Sequence, residues 1–414
     1  MNPARRGLLL GLGAAGSVGA VRAATLPDNR PVQPAEAEDG TEDRVPFFGA
    51  HQAGITTPQP ASALLAAFDV LAESRAELAE MFRLLTERCA FLTAGGAAPD
   101  LDPLLPPADS GVLGPRVFPD ALSATVGVGA SLFDERFGLA AARPSRLQRM
   151  EAFPNDALDA DWCHGDLLLQ FNANTAETNI HALRDILKTM PEHLALSWKI
   201  EGFLPPHTVK KQARDTVRNL MGFKDGTANL DVRDAGLMDR LVWTEAGNGE
   251  PGWTAGGTYQ VVRLIRMLVE RWDRTPLGEQ QSIFGRTKAE GAPLGMAREH
   301  DVPDFSAGPA SSGVPLDAHI RRANPRTAET EGSLILRRAY NYSRGLTKAG
   351  QLDMGLVFSC FQADLQAGFL TVQGRLDGEA LEEYVKPFGG GYFFALPGVA
   401  RPGDVLGSGL LAQS

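Results

Sequence analysis

Twice in this chain a strand-length apolar run leads straight into a helical segment. DLLLQFNAN runs into TAETNIHALRDILKTM at 166–190, and GLVFSCFQAD into LQAGFLTVQGRLDG at 355–378. This recurrence constrains the fold more than any composition can, because each unit has an apolar sheet face that only helices or a second sheet can cover. Further strand-like runs stand around them: ALSATVGVGASLF and ALSWKIEGFL in the first half, TYQVVRLIRM and GSLILRRAYNYS in the second. The pattern predicts two copies of a strand–helix–strand–strand–helix–strand unit. The fold class is therefore α+β, with duplicated ferredoxin-like units of antiparallel sheet covered by helices. The halves are expected at 45–215 and 216–414.

Within the first half, the stretch from Ile55 to Gly95 predicts two helices. Thr57 caps the first with Pro58 at its opening position, and Leu78, Met81, Phe82 and Leu85 mark the apolar stripe of the second. Thr175 or Thr178 caps the helix of 176–190. Gly389–Gly391 lack the Lys-Ser/Thr of a phosphate loop and predict a tight turn entering a strand. Between the copies the pattern places a long irregular region rich in Gly, Pro and polar residues, Ile283 to Ile320, a length that usually signals function.

The amino terminus carries a formally complete G-x-G-x-x-G at Gly11, Gly13 and Gly16. Too few residues precede it for the buried strand that a dinucleotide loop requires. Arg5 and Arg6, a mild apolar core and Val21-Arg22-Ala23 fit an export signal of the twin-arginine type, cleaved after Ala23, better. Residues 1–23 are thus expected to be a signal peptide, and 24–44, polar and acidic, a flexible leader. Loss of Arg5, Arg6 and Arg22 moves the net charge from −10 to −13, which argues against a nucleic-acid partner. No later apolar run approaches a membrane span. Cys89, Cys163 and Cys360 are odd in number and widely spaced, unlike a disulfide framework.

Three segments concentrate unusual chemistry: MGFKDGTANL around Asp225, DAHIRRANPR around His319 and LILRRAYNY around Arg337. Taken singly, each has a plain structural account: a D-G turn, a surface histidine beside Asp317, and the solvated face of a strand. Together with PFFGAHQAGI, SLFDERFGL, CHGDLLLQ, WDRTPLGEQQ, FGRTKAEGAPLG and EYVKPFGGGYFFALPG, they make residues 45–414 resemble the dye-decolourising haem peroxidases. Within that family the chain is similar to the exported EfeB, or deferrochelatase/peroxidase, branch.

The resemblance implies one haem b per chain, held in the C-terminal half with His319 as the proximal iron ligand. It implies Asp225 and Arg337 as the distal catalytic residues, and haem contacts from Gly226, Thr227, Ala228, Asn324, Pro325, Arg326 and Arg337. One departure is Ala339, where some branches carry a distal asparagine two positions after the arginine. Asp225 can shuttle a proton between peroxide oxygens; Arg337 stays protonated and can only stabilise developing charge. Tyr340, Tyr342, Trp253 and Trp272 are oxidisable rings that could pass electrons from a bulky dye. The implied substrates are hydrogen peroxide and an organic electron donor, in a periplasmic homodimer linked to iron-uptake components. The alternatives are a haem carrier without turnover and a deferrochelatase without a peroxidase role. His51, His164, His181, His193, His207 and His300 show no close ligand spacing for a second metal.

Overall fold

The apolar run SALLAAFDV is a strand, not the first of two helices. In the computed structural model, which describes residues 40–99, 102–206, 216–247, 249–306 and 312–413, Ser62–Val70 is extended and buried almost throughout. Its alternate residues face two different cores: Ala63, Leu65 and Ala67 one, Leu64, Ala66 and Phe68 the other. A strand buried on both faces loses its alternation, so its sequence reads like a buried helix. Thr57 caps nothing helical; its Oγ1 accepts the Gly54 N–H at 3.0 Å.

With that correction each half contains the expected unit. The strands are β1 (Ser62–Val70), β2 (Gly96–Ala97), β3 (Arg116–Val117), β4 (Ser123–Gly129), β5 (Leu167–Ala173), β6 (Leu194–Phe203), β7 (Thr258–Met267), β8 (Leu336–Arg337), β9 (Tyr340–Leu346), β10 (Leu352–Gln362) and β11 (Val385–Ala395). The principal helices are α1 (Arg75–Ala94), α2 (Ala176–Thr189), α3 (Ala235–Leu241), α4 (Leu277–Phe284), α5 (His319–Ala323) and α6 (Thr371–Leu376). Ser74 caps α1 and Thr175 caps α2, each side chain accepting an N–H three residues on. The GSLILRRAYNYS run divides into β8 and β9 at Arg338 and Ala339, and both pieces pair with β10.

The main sheet runs β7-β11-β4-β5-β1-β6-β9-β10-β8, and β7 pairs with β10 as well, so eight strands close into an antiparallel ring. Closure removes the sheet edges. Inside the ring pack Ala63, Leu65, Leu168, Trp198, Val262, Tyr340, Tyr342 and Phe393. Outside it, α1 and α2 cover the strands of the first half, with Leu78, Met81, Phe82 and Leu85 buried as the stripe predicts. Gly389–Gly391 lie within β11 rather than in a turn before it: a Cβ on Gly389 would meet the Trp162 carbonyl oxygen at 2.5 Å. The glycines are there for close approach of a neighbouring chain segment.

Residues 40–44, part of the leader by composition, are already tied down, since the N–H groups of Asp120 and Ala121 donate to the carbonyls of Thr41 and Asp43 at 2.7 Å. The segment expected to be a signal peptide, 1–23, and residues 24–39 of the expected leader lie outside the described residues. No described helix is long and apolar enough to cross a membrane.

Candidate active site

The segment MGFKDGTANL folds as a tight loop because Asn219 organises it. Its Oδ1 accepts the N–H groups of Met221 (3.1 Å) and Phe223 (3.2 Å), and Gly222 and Gly226 take φ of +86° and +114°. A side chain at Gly222 would also strike Lys288, whose Cε lies 2.7 Å from the Cβ position. The loop is fastened to β8 by a reciprocal pair: Asn229 Nδ2 donates to the Arg337 carbonyl at 2.7 Å, and the Arg337 N–H donates to Asn229 Oδ1 at 2.9 Å. That fastening brings Asp225 and Arg337 together, 112 residues apart in sequence, with Nη2 2.5 Å from Oδ1. Arg337 Nε is buried and has no hydrogen-bond partner among the described residues. The guanidinium lies over the Phe358 ring at 5.4 Å.

His319 opens the short helix α5. The two arginines that follow it anchor that helix to backbone carbonyls: Arg321 to Phe305 and Val314, Arg322 to Arg375 and Asp377. The imidazole Nδ1 faces the carboxylate of Glu379, 2.8 Å from Oε2 and 3.0 Å from Oε1. Burial disfavours the imidazolium, but the charge and hydrogen bond of Glu379 outweigh it and raise the His319 pKa above its ordinary value. Nδ1–H donated to Glu379 leaves the Nε2 lone pair for the cavity, and among the described residues Nε2 has no hydrogen-bond partner. The Phe284 ring stands edge-on to the imidazole with centroids 6.0 Å apart.

Between these groups opens a cleft of two connected lobes, which share Asp225, Phe284, His319 and Arg337 in their walls. The first lobe is apolar, walled by Met221, Ile265, Leu356, Phe358 and Leu381, with Glu379 behind His319. The second is polar, with Lys224, Gly226, Thr227, Ala228, Arg286, Asn324 and Arg326 in its wall; Pro325 lies between the last two but outside it. Burial pulls the Arg286 guanidinium below its usual range, and it donates to the carbonyls of Gly291 and Glu299. A large flat apolar ring with acidic groups at one edge fits this donor set: an available imidazole nitrogen, apolar walls, and cationic side chains concentrated at one end.

Sequence reasoning brought Asp225, Arg337, His319 and most of the polar lobe to one place. It missed Glu379, Asn229 and Glu299. Glu299 accepts from Lys224 Nζ at 2.5 Å, from Thr227 Oγ1 at 2.9 Å and from Thr216 Oγ1, so it ties the Asp225 loop to the segment leading into α5. Of the four oxidisable rings, Trp272 reaches the cleft through Phe284, edge-on at 5.6 Å, and Tyr340 lines a small neighbouring pocket that shares Asp225 and Arg337 with it. Trp253 packs between Phe133 and Phe394, and Tyr340 and Tyr342 fill the ring of strands.

Residues 52–204 match the model of the Dyp-type peroxidase N-terminal domain and residues 216–400 that of its C-terminal domain. The chain is 58% identical over 410 residues to a deferrochelatase of Escherichia coli (strain K12), covering 99% of this chain and 97% of that one. It is 55% identical over 414 residues to a deferrochelatase of Yersinia pestis bv. Antiqua (strain Nepal516), covering 99% and 95%. Among solved structures, a DyP-type peroxidase from Cellulomonas bogoriensis superposes with a TM-score of 0.81 at 36% identity, covering 90% of this chain and 99% of the other. Ferric DtpA from Streptomyces lividans superposes at 0.80 and 33%, covering 92% and 100%. The matched ranges span both halves and the segments that carry the cleft, and the chain belongs to the Dyp-type peroxidase family, a family of haem-dependent oxidoreductases.

Proposed function

We propose that this peroxidase binds one haem b in the two-lobed cleft, with His319 Nε2 ligating the iron and the Asp225–Arg337 pair serving the peroxide. The single observation that carries the reading is the convergence, on one apolar cleft, of a carboxylate-backed imidazole and a carboxylate–guanidinium pair. When bound, the haem iron supplies the redox chemistry that breaks the O–O bond of hydrogen peroxide. The chain's own groups manage the protons and the charge. Asp225 accepts a proton from one peroxide oxygen and returns it to the other, which leaves as water. Arg337 keeps its proton throughout; its guanidinium orients Asp225 and stabilises negative charge on the departing oxygen. Glu379 fixes the His319 tautomer and increases its electron donation. Gly226, Thr227, Ala228, Asn324 and Arg326, with Pro325 between the last two, would hold the acidic edge of the ring.

Purified protein reconstituted with one equivalent of haem b should show a Soret band that changes within seconds of one equivalent of hydrogen peroxide and returns when a reducing dye is added. A band indifferent to peroxide overturns the reading. The deferrochelatase relatives, at 58% identity, support a second activity at the same cleft, release of iron with the porphyrin intact. It is tested by the fluorescence of iron-free porphyrin after incubation of the haem-loaded protein with a reductant; no fluorescence removes that activity.

Export in the folded state, a homodimeric assembly and service to an iron-uptake system belong to the same proposal. The paired Arg5 and Arg6 support the first. Replacing both by lysine should trap the protein in the cytoplasm on cell fractionation.

A further inference from the structure

A second cluster of ligating side chains lies in the N-terminal half, away from the cleft. His181 and Asp185 stand one turn apart on α2, at the i, i+4 spacing that puts both on one face. The loop carrying Asp109 reaches that face, with Asp109 Oδ2 3.6 Å from His181 Nε2. The three side chains are only 5%, 1% and 4% exposed for Asp109, His181 and Asp185, and one ligand atom from each lies within 4.8 Å of the others.

His181 makes the cluster more than an acidic patch. Its Nδ1 is held by Ser110 Oγ at 2.8 Å, whereas Nε2, buried and 3.6 Å from Asp109 Oδ2 in the cluster with Asp185, has no hydrogen-bond partner among the described residues. At 3.6 Å Asp109 is too far to satisfy it as a hydrogen bond, and a buried polar nitrogen without a partner is costly. Burial holds the His181 pKa below its usual range, so the ring offers a neutral lone pair. Asp109 spends Oδ1 on the Gly111 N–H at 2.6 Å, which leaves Oδ2 facing the histidine. Asp185 receives Arg88 Nε and Nη2 at 2.8 and 2.6 Å, but each carboxylate oxygen has a second lone pair. The carboxylates of Asp109 and Asp185 act on the imidazole together with the guanidinium of Arg88, which is paired with Asp185, and that of the exposed Arg184.

We propose that Asp109, His181 and Asp185 bind one divalent transition cation of the zinc class, which clips the Asp109 loop onto α2. An imidazole with two carboxylates suits such an ion, and three protein ligands leave one position for water.

The test is titration of the haem-loaded, chelator-washed mature protein with zinc chloride by calorimetry, with the zinc-to-iron ratio measured by elemental analysis after dialysis. One zinc per chain, a melting temperature that rises with zinc, and at least about tenfold weaker binding in D109N and H181Q are expected, with the Soret band and peroxide turnover of both variants unchanged. If H181Q does not fold, D109N decides alone, its fold checked by circular dichroism. No saturable zinc binding by the parent protein, or binding undiminished in D109N, overturns the proposal.

Discussion

At the scale of single residues, the cleft divides its labour between two carboxylates that face different partners. Asp225 meets a guanidinium that cannot give up its proton, so the carboxylate alone can carry one. Asp225→Asn should lower kcat/KM for hydrogen peroxide by about 10²–10⁴, read from stopped-flow bleaching of the Soret band, while haem stays bound. Arg337→Leu should lose about 10²–10³ in the same constant and also raise KM. Full turnover in both variants would reassign the proton chemistry to other groups. Glu379→Gln keeps the shape beside His319 but removes the charge, and should weaken haem retention by about 10–100-fold in competition with apomyoglobin. Trp272→Phe should leave peroxide cleavage intact and slow only oxidation of a bulky dye; equal dye turnover would take Trp272 and Phe284 out of the electron path. Asp225, His319 and Arg337 were legible in the sequence because each sits in a motif with its own neighbours. Glu379 was not, because it is 60 residues from His319 and its surroundings, DGEALEEY, offer several carboxylates with nothing local to choose among them.

At the scale of elements, the Asp225 loop is held as much by Glu299 as by its own turns. Burial works against the Glu299 charge, yet hydrogen bonds from Lys224, Thr216 and Thr227 prevail and hold its pKa at about 2, below the ordinary 4.5. A depressed carboxyl stabilises the fold fully above its unfolded pKa and loses that contribution as the pH falls through its folded one. The gap in melting temperature between the parent protein and Glu299→Gln should therefore be largest above pH 4.5 and shrink as the pH approaches 2. A gap constant across that window would show that the clamp does not depend on the charge. The long region from Ile283 to Ile320 stands out in the sequence by its length alone, and it supplies Arg286, Glu299 and His319. The first strand was not legible. SALLAAFDV has strand length and β-like burial, but only tertiary packing on both faces distinguishes it from a helix, and that information lies in β5 and β6 rather than in the run itself.

At the scale of the whole molecule, two similar units become one because their sheets join at two seams. Along one, Phe393, Phe394 and Ala395 of β11 pair with Gly129, Val128 and Gly127 of β4; along the other, β6 meets β9 through Phe203 and Asn341. The duplication could be read from the sequence, because each unit repeats the same local order of strand and helix. The closure of the two sheets into one ring could not, since it depends on contacts between positions more than a hundred residues apart. Small residues make these seams possible. A Cβ on Gly202 would lie 2.6 Å from the Cβ of Tyr340, inside contact distance, so β6 approaches β9 only because it carries glycine there. Gly202→Val should force this seam apart and cost about 1–3 kcal/mol of stability, measured by denaturant unfolding. Apart from Asn155 and Asp156, the apolar lobe of the cleft is walled by the second unit's residues, so haem affinity should change little while the unfolding midpoint drops. An unchanged midpoint would mean that β6 and β9 can separate freely and that the β4–β11 seam, with the bonds from Ala157, Asp159 and His164 to β11, holds the two halves together.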